Sequence, residues 1–154
     1  MATEEISAVD EGIQVVAFKL LDEEYGISIL NVQEIRNLTD ITRVPFAADF
    51  IKGVINLRGS VLPVIDLKQR LGLMDAPYTE KTRIVTVTVD ELHVGMLVDA
   101  VTEVITIDSK PVDTKKAVNN RENARFLSGI GNMDGRLIIL LNLEEIIGMP
   151  KDGK

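Results

Sequence analysis

Few side chains in this sequence are of kinds that do chemistry, and their spacing argues against most reactions. There is one histidine, His93, and no cysteine. A metal centre needs several His, Cys or carboxylate groups converging on one point, so a lone histidine beside a turn at Asp90 and Glu91 reads as an ordinary strand residue. A nucleophilic triad would have to use the same His93, and no serine stands in a G-x-S-x-G elbow; Ser60 follows a glycine, but in a hairpin. Residues 53–59, GVINLRG, lack the glycine spacing and the lysine of a phosphate-binding loop. Asp66 and Asp99 each end an aliphatic strand, where a paired-carboxylate hydrolase would place its acids. Helix caps and strand ends also recruit aspartate for purely structural reasons. The reading is therefore of no catalytic residue, no metal and no cofactor, with a small carboxylate-dependent hydrolase as the alternative. What the chemistry leaves over is surface. Val32, Glu34 and Arg58 fall on turns or irregular segments beside strongly apolar strands, a mixed patch of the kind that docks partners.

The elements that position this patch centre on residues 50–72, FIKGVINLRGSVLPVIDLKQRLG. A short helical turn at Phe50 and Ile51, a strand over 53–57, a reversal at Arg58, Gly59 and Ser60, and a strand over 61–65 are expected. A helix capped by Asp66 then follows, with Gln69 as its capping-box partner and Gly72 as its stop. The unit recurs as GIGNMDGRLIILLNLEEIIG over 129–148. Gly53, Asn56, Gly59, Leu67 and Gly72 match Gly129, Asn132, Gly135, Leu143 and Gly148, and the capping pair Asp66 and Gln69 matches Asn142 and Glu145. A weaker echo relates YGISILNVQEI (25–35) to VGMLVDAVTEV (94–104). The matched caps favour an internal duplication over a chance resemblance between two hairpin-then-helix segments.

Along the rest of the chain, residues 1–12 and 150–154 read as flexible tails and 13–149 as the folded domain. Strands are expected over 13–21, 25–29, 41–45, 82–89, 93–99 and 102–107. Val32 and Ile35 suit a helical turn or a bent strand, and Pro63 marks an edge or bulge. The linker between the halves falls at 74–81. Residues 108–123 are polar and irregular, and 121–127 suggests a helical turn. About ten strands with hairpin turns predict an all-β fold: two five-stranded, SH3-like β-barrels, roughly the two halves of the chain, packed on a shared core, with short helices including one near the C-terminus.

At 154 residues with 45% hydrophobic side chains, the chain can bury a full core. Its net charge is −7, its basic residues are scattered and only 4% of it is aromatic. Binding nucleic acid calls for a positive stripe, and single strands also call for aromatic platforms, so that class is set aside. No apolar run reaches the length of a membrane span, the N-terminus carries no signal-peptide core, and cysteine is absent, all pointing to the cytoplasm.

EEYGISILNVQEIR, FIKGVINLRGSVLPVIDL, VGMLVD and LSGIGNMDGRLIILLNLEEII together resemble the CheW family of bacterial chemotaxis coupling proteins, from about Gln14 to Gly148. The resemblance implies two five-stranded barrels around a shared core and a non-enzymatic adaptor. Such an adaptor links the cytoplasmic tips of methyl-accepting chemoreceptors to the regulatory domain of the histidine kinase CheA, and is recruited from the cytoplasm to membrane-bound receptor arrays. It implies a receptor-facing set of Val32, Glu34, Ile35, Leu57 and Arg58, joined by Gly95, Val98 and Val104 from the second half. It also implies a kinase-facing set of Ile41, Thr42, Arg43 and Val44, with Gly53 in support. Contacts with other CheW copies in array rings belong to the same family picture, but residues 111–123 depart most from the pattern, so no ring residue is transferred. Within the family the alternative is a paralogue that couples a different receptor and kinase pathway.

Overall fold

A computed structural model describes residues 12–110, 125–133 and 135–148. Ten strands run through them: β1 (Ile13–Leu20), β2 (Glu23–Ser28), β3 (Val32–Asn37), β4 (Ile51–Leu57), β5 (Ser60–Asp66), β6 (Arg83–Val89), β7 (Leu92–Val98), β8 (Ala100–Lys110), β9 (Leu127–Met133) and β10 (Arg136–Leu141). The helices are short: a 3-10 turn over Ile29–Asn31, α1 (Leu67–Arg70) and α2 (Leu143–Ile147).

The two repeated units are alike at the level of single side chains. β4 and β9 bury the same positions in the same order, a period-2 pattern in which only every second residue faces inward. In each hairpin an asparagine one residue before the strand end caps the turn: Asn56 Oδ1 accepts from the Gly59 amide and Asn132 Oδ1 from the Gly135 amide, both at 3.0 Å. Asp66 and Asn142 then cap α1 and α2 by accepting from the amides of Gln69 and Glu145, both at 3.3 Å. The first reversal is a two-residue turn at Arg58 and Gly59, with φ of 54° and 88°, and Ser60 already pairs with Leu57. Positive φ at both central residues matches the twist of the paired strands.

The units are not packed as the two halves of the chain. One sheet is a closed barrel in the order β1-β2-β10-β9-β8; the other is a five-stranded sheet in the order β3-β6-β7-β5-β4. Each half of the repeat thus gives its first two strands to one sheet and its last three to the other. Four pairings make the exchange: the parallel β2 with β10 and β5 with β7, and the antiparallel β1 with β8 and β3 with β6. An even division by halves is therefore corrected: the second sheet is continuous in sequence, and the first is assembled from both ends of the described chain.

The second sheet also lacks the ladder that would close it. β8 is eleven residues long, and its far end, Asp108–Lys110, pairs with β9. The matching strand β3 stops after six, and only Thr42 reaches β4, in a single bridge to Val54. The expected strand over 41–45 is reduced to this bridge. The expected helical turn at Phe50 and Ile51 is instead a turn that ends where β4 begins, and of the turn expected over 121–127 the described residues enter β9 without helix. Pro63 lies in an internal strand, just before β5 begins to pair with β7 at Val64. Gly148 ends α2 with φ of −54°, so it is not the left-handed stop that Gly72 is at 78°.

Three clusters form the core. Val16, Phe18, Leu20, Tyr25 and Ile27 from the barrel meet Ile65, Val85, Val87, Met96 and Val98 from the other sheet in a shared layer. The barrel interior holds Val15, Ala17, Ile105, Ile107, Ile138 and Leu140; the other sheet encloses Ile55, Leu62, Val64, Ile84 and Leu97. β1 and β6 each supply side chains to two clusters, so both of their faces are buried.

Candidate docking site

Glu34 is positioned by a fault in a ladder. The pairing of β3 with β6 shifts register between Val32 and Glu34, and at this bulge the wholly buried Thr86 replaces the missing backbone partner. Its hydroxyl accepts from the Glu34 amide at 3.1 Å and donates to the Glu34 carbonyl at 3.2 Å. The glutamate is thus aimed at the open seam between β3 and the β4–β5 hairpin.

Arg58 reaches it from the hairpin tip. Its Nη1 donates to Glu34 Oε2 at 2.8 Å and its Nη2 to Oε1 at 3.3 Å, a fork onto both carboxylate oxygens. Arg36 adds a bond from Nη1 to Oε1 at 3.3 Å, while its Nε is buried with no hydrogen-bond partner among the described residues. The Arg58 hydrogen bonds, outweighing the cost of partial desolvation, hold the Glu34 carboxyl below its ordinary value, and the same pairing raises Arg58. Both groups stay charged, and Arg58 keeps 72% of its side chain in water. Ile35 (41% exposed) and Val61 (65%) add exposed aliphatic surface on β3 and β5.

The other expected receptor-facing residues separate. Val32 and Leu57 are half-buried, the first against the shared core and the second against the cluster inside its sheet. Gly95 and Val98 do not reach the surface, which corrects their expected role. β7 is buried from Val94 to Val98, and a Cβ on Gly95 would come within 2.9 Å of Ile84 Cγ2. Val104 is exposed, but on β8 of the closed barrel.

Residues 41–44, which cross β4 at Gly53 and Val54, form a second surface. Ile41 packs inward, Thr42 exchanges backbone hydrogen bonds with Val54 at 2.9 and 2.8 Å, and Arg43 and Val44 are exposed. Gly53 makes this crossing possible, since any Cβ there would overlap the Thr42 carbonyl oxygen and press on Ile41.

None of the candidate catalytic groups stands free. Asp66 is buried as the α1 cap. Asp99 accepts from Lys68 Nζ at 2.7 Å and from the Leu21 amide at 2.7 Å, tying α1 to the end of β1. His93 Nδ1 lies 3.0 Å from Thr88 Oγ1 and 3.4 Å from Gln33 Oε1. No His, Cys, Asp or Glu cluster among the described residues has metal-binding geometry, and no helix among them is long and apolar enough to cross a membrane. Sequence reading missed the buried Lys68–Asp99 pair and the triad of Arg136 with Glu24 and Glu103. The second of these had a signal, because Glu103 is the counterpart of Glu34 in the weaker repeat.

Two packed sheets thus carry charged and apolar surface, with Asp66, Asp99 and His93 each engaged in hydrogen bonds. The CheW-like domain model matches residues 14–151. A probable chemotaxis protein CheW of Rhizobium etli is 37% identical over 133 residues, covering 86% of each chain. The chemotaxis protein CheW of Klebsiella aerogenes is 35% identical over 136 residues, 88% of this chain and 82% of that one. The crystal structure of scaffolding protein TtCheW from Thermoanaerobacter tengcongensis aligns with a TM-score of 0.82 at 35% identity, covering 93% of this chain and 96% of that one. The chain belongs to the CheW family, whose members are non-enzymatic scaffolds of chemotaxis, and a carboxylate-dependent hydrolase is not favoured.

Proposed function

We propose that this chain couples chemoreceptors to the histidine kinase CheA, with the two partners docking on separate surfaces, one at the tip of the β4–β5 hairpin and one where residues 41–44 cross β4. The observation that carries the receptor half is the Glu34–Arg58 pair: a fixed, charged couple across an unclosed seam, with exposed Ile35 and Val61 on the neighbouring strands. A receptor tip is a helical hairpin, and a helix laid against such a surface takes affinity from apolar contacts while rim charges set its register. Val32 and Leu57 support the surface from below, and Val104 is a separate exposed aliphatic residue on the barrel. The kinase half rests on residues 41–44, which Gly53 allows to cross β4, and the occupant is the regulatory domain of CheA. Recruitment to membrane-bound receptor arrays, and contact with other CheW copies there, follow from the same reading.

Co-sedimentation with receptor-bearing membranes, with and without CheA, tests it while kinase autophosphorylation is followed. The expected result is that the chain sediments with receptors and brings the kinase under receptor control. Binding to the kinase without any receptor would transfer the chain to a different pathway, and binding to neither would leave only the fold.

A further inference from the structure

Four described residues other than glycine have positive φ. Leu21, Arg58 and Asp90 occupy two-residue hairpin turns, where the geometry demands it. Phe46, at φ 66°, joins no two strands of a hairpin. It is also 103% exposed, so its ring is as open to water as in an extended chain. A bulky side chain in the left-handed region is unfavourable, and a phenyl ring left in water forfeits the burial that usually places it. The free protein gains from neither. Such backbone strain persists where the surrounding structure enforces it, and it clusters at functional sites.

The enforcement is visible. Thr42 is held to Val54 by two backbone hydrogen bonds on one side of the loop. On the other, the Ile51 amide donates to the Ala48 carbonyl at 2.9 Å and the Asp66 amide to the Phe50 carbonyl at 2.8 Å. Pro45 fixes its own φ directly before Phe46. The ring is therefore presented on a loop stapled at both ends, which lowers the ordering cost of binding. Val44, also exposed, stands two residues away.

We propose that Phe46 is the anchor of the kinase-facing surface, inserting into an apolar pocket on the regulatory domain of the histidine kinase. This rests on the reading of residues 41–44 as kinase-facing and adds the residue that supplies most of the affinity there. Continuity selects this occupant: Phe46 continues the exposed apolar run begun by Val44, on the surface proposed for the kinase. Buried aromatic anchors at the centre of an interface are where binding energy concentrates.

The test uses the full chain and the purified regulatory domain. Asparagine tolerates left-handed backbone, so F46N should fold with an unchanged or raised melting temperature. It should bind the regulatory domain about tenfold or more weakly, and sediment with receptor membranes as before. F46L should recover most of the affinity. V44D serves as the control for the surface itself. Normal kinase binding by F46N with weakened binding by V44D would overturn the anchor and leave the surface reading intact; normal binding by both would overturn the two together. If F46N changes only the self-association seen by sedimentation velocity, the pocket belongs to a second copy of this chain and the proposal fails. Loss of receptor sedimentation by F46N with kinase binding intact would likewise overturn it.

Discussion

The two hairpin tips carry the same pair of charges and put them to different use. Glu34 and Glu103 are counterparts in the repeat, and each receives an arginine from the hairpin that follows. In the closed barrel this is Arg136, the first residue of β10. It donates to Glu103 at 2.7 Å and through two nitrogens to Glu24 at 2.7 and 3.1 Å, with 38% of its side chain exposed. In the open sheet it is Arg58, two positions earlier in the aligned units. Arg58 sits on the turn itself, meets only Glu34 among the described residues, and is largely in water. The difference follows from closure. β8 is long enough to pair with β9, so charges there finish a barrel that hydrogen bonds already hold; β3 is short, and its pair spans a seam that no ladder fills. One copy of the motif has become internal structure and the other remains surface.

The comparison presumes that the two sheets stand or fall together on their shared layer, and the largest predicted effect tests that. Phe18 of β1 is fully buried in this layer. Phe18→Ala should cost about 3–5 kcal/mol in denaturant unfolding, the usual range for deleting a buried phenyl. Amide exchange should lose protection in β6 and β7 as much as in β1. Protection lost in the barrel alone would mean two independent modules.

Next is the tie between the sheets. Lys68 keeps only 4% of its side chain exposed and depends on Asp99, which also holds the amide of Leu21. Asp99→Ala should cost about 3 kcal/mol, because it strands a buried ammonium. The double variant K68M/D99L should be nearer to wild type than D99A, since replacing both charges removes the desolvation cost as well as the pair. A D99A protein as stable as wild type would show that the pair does not bind the sheets.

A smaller effect separates the two arginines directly. Hydrogen bonds from Arg136 hold the Glu24 carboxyl below its ordinary value of 4.5, as those of Arg58 do for Glu34. A carboxylate whose pKa is lowered on folding adds stability above its unfolded value, and that stability is lost as pH falls through the folded one. Melting temperature should therefore fall with acid below about pH 4.5. Arg136→Ala should flatten this acid limb and lower the melting temperature near neutrality more than Arg58→Ala does. Equal effects would erase the distinction between a structural and a surface pair. At the alkaline end, burial and the neighbouring Glu23 raise Tyr25 to about 12. Its contribution should be complete below pH 10 and fade as pH rises toward 12, which absorbance of the phenolate can follow.

What could be read from residues alone was local. Asn56 before Gly59, Asp66 before Gln69 and their later copies each act within four residues, so the hairpins, caps and repeat were legible, as was the number of strands. The exchange of strands between the halves was not, because β2 with β10 and β5 with β7 are distant parallel pairs with no local signature. Gly95 and Val98 were assigned outward through the family resemblance, and an apolar strand buried on both faces shows no alternation that could have set this right. Lys68 gave no warning of burial, since its partner lies 31 residues away. Glu34 and Arg58 were singled out as a mixed surface patch and again through the family resemblance, whereas the bulge at Thr86 that aims Glu34 emerges only from the paired strands.

The smallest expected change in stability carries the most functional information. Arg58→Glu removes both hydrogen bonds to Glu34 and sets a second carboxylate beside it, yet the side chain is mostly solvated and such surface pairs add little to folding. Because no ladder depends on Arg58, the protein should melt within experimental scatter of wild type. Receptor co-sedimentation should nevertheless fall sharply, since the reversed charge leaves a patch with the same apolar surface and the wrong rim. Binding to the kinase regulatory domain, at residues 41–44, should be unchanged. If Arg58→Glu instead unfolds the protein, Arg58 is a seam clamp equivalent to Arg136 and both copies of the motif are structural. If it is stable and still binds receptors, the open seam is exposed surface without a receptor, and the contrast between the two tips is architectural only.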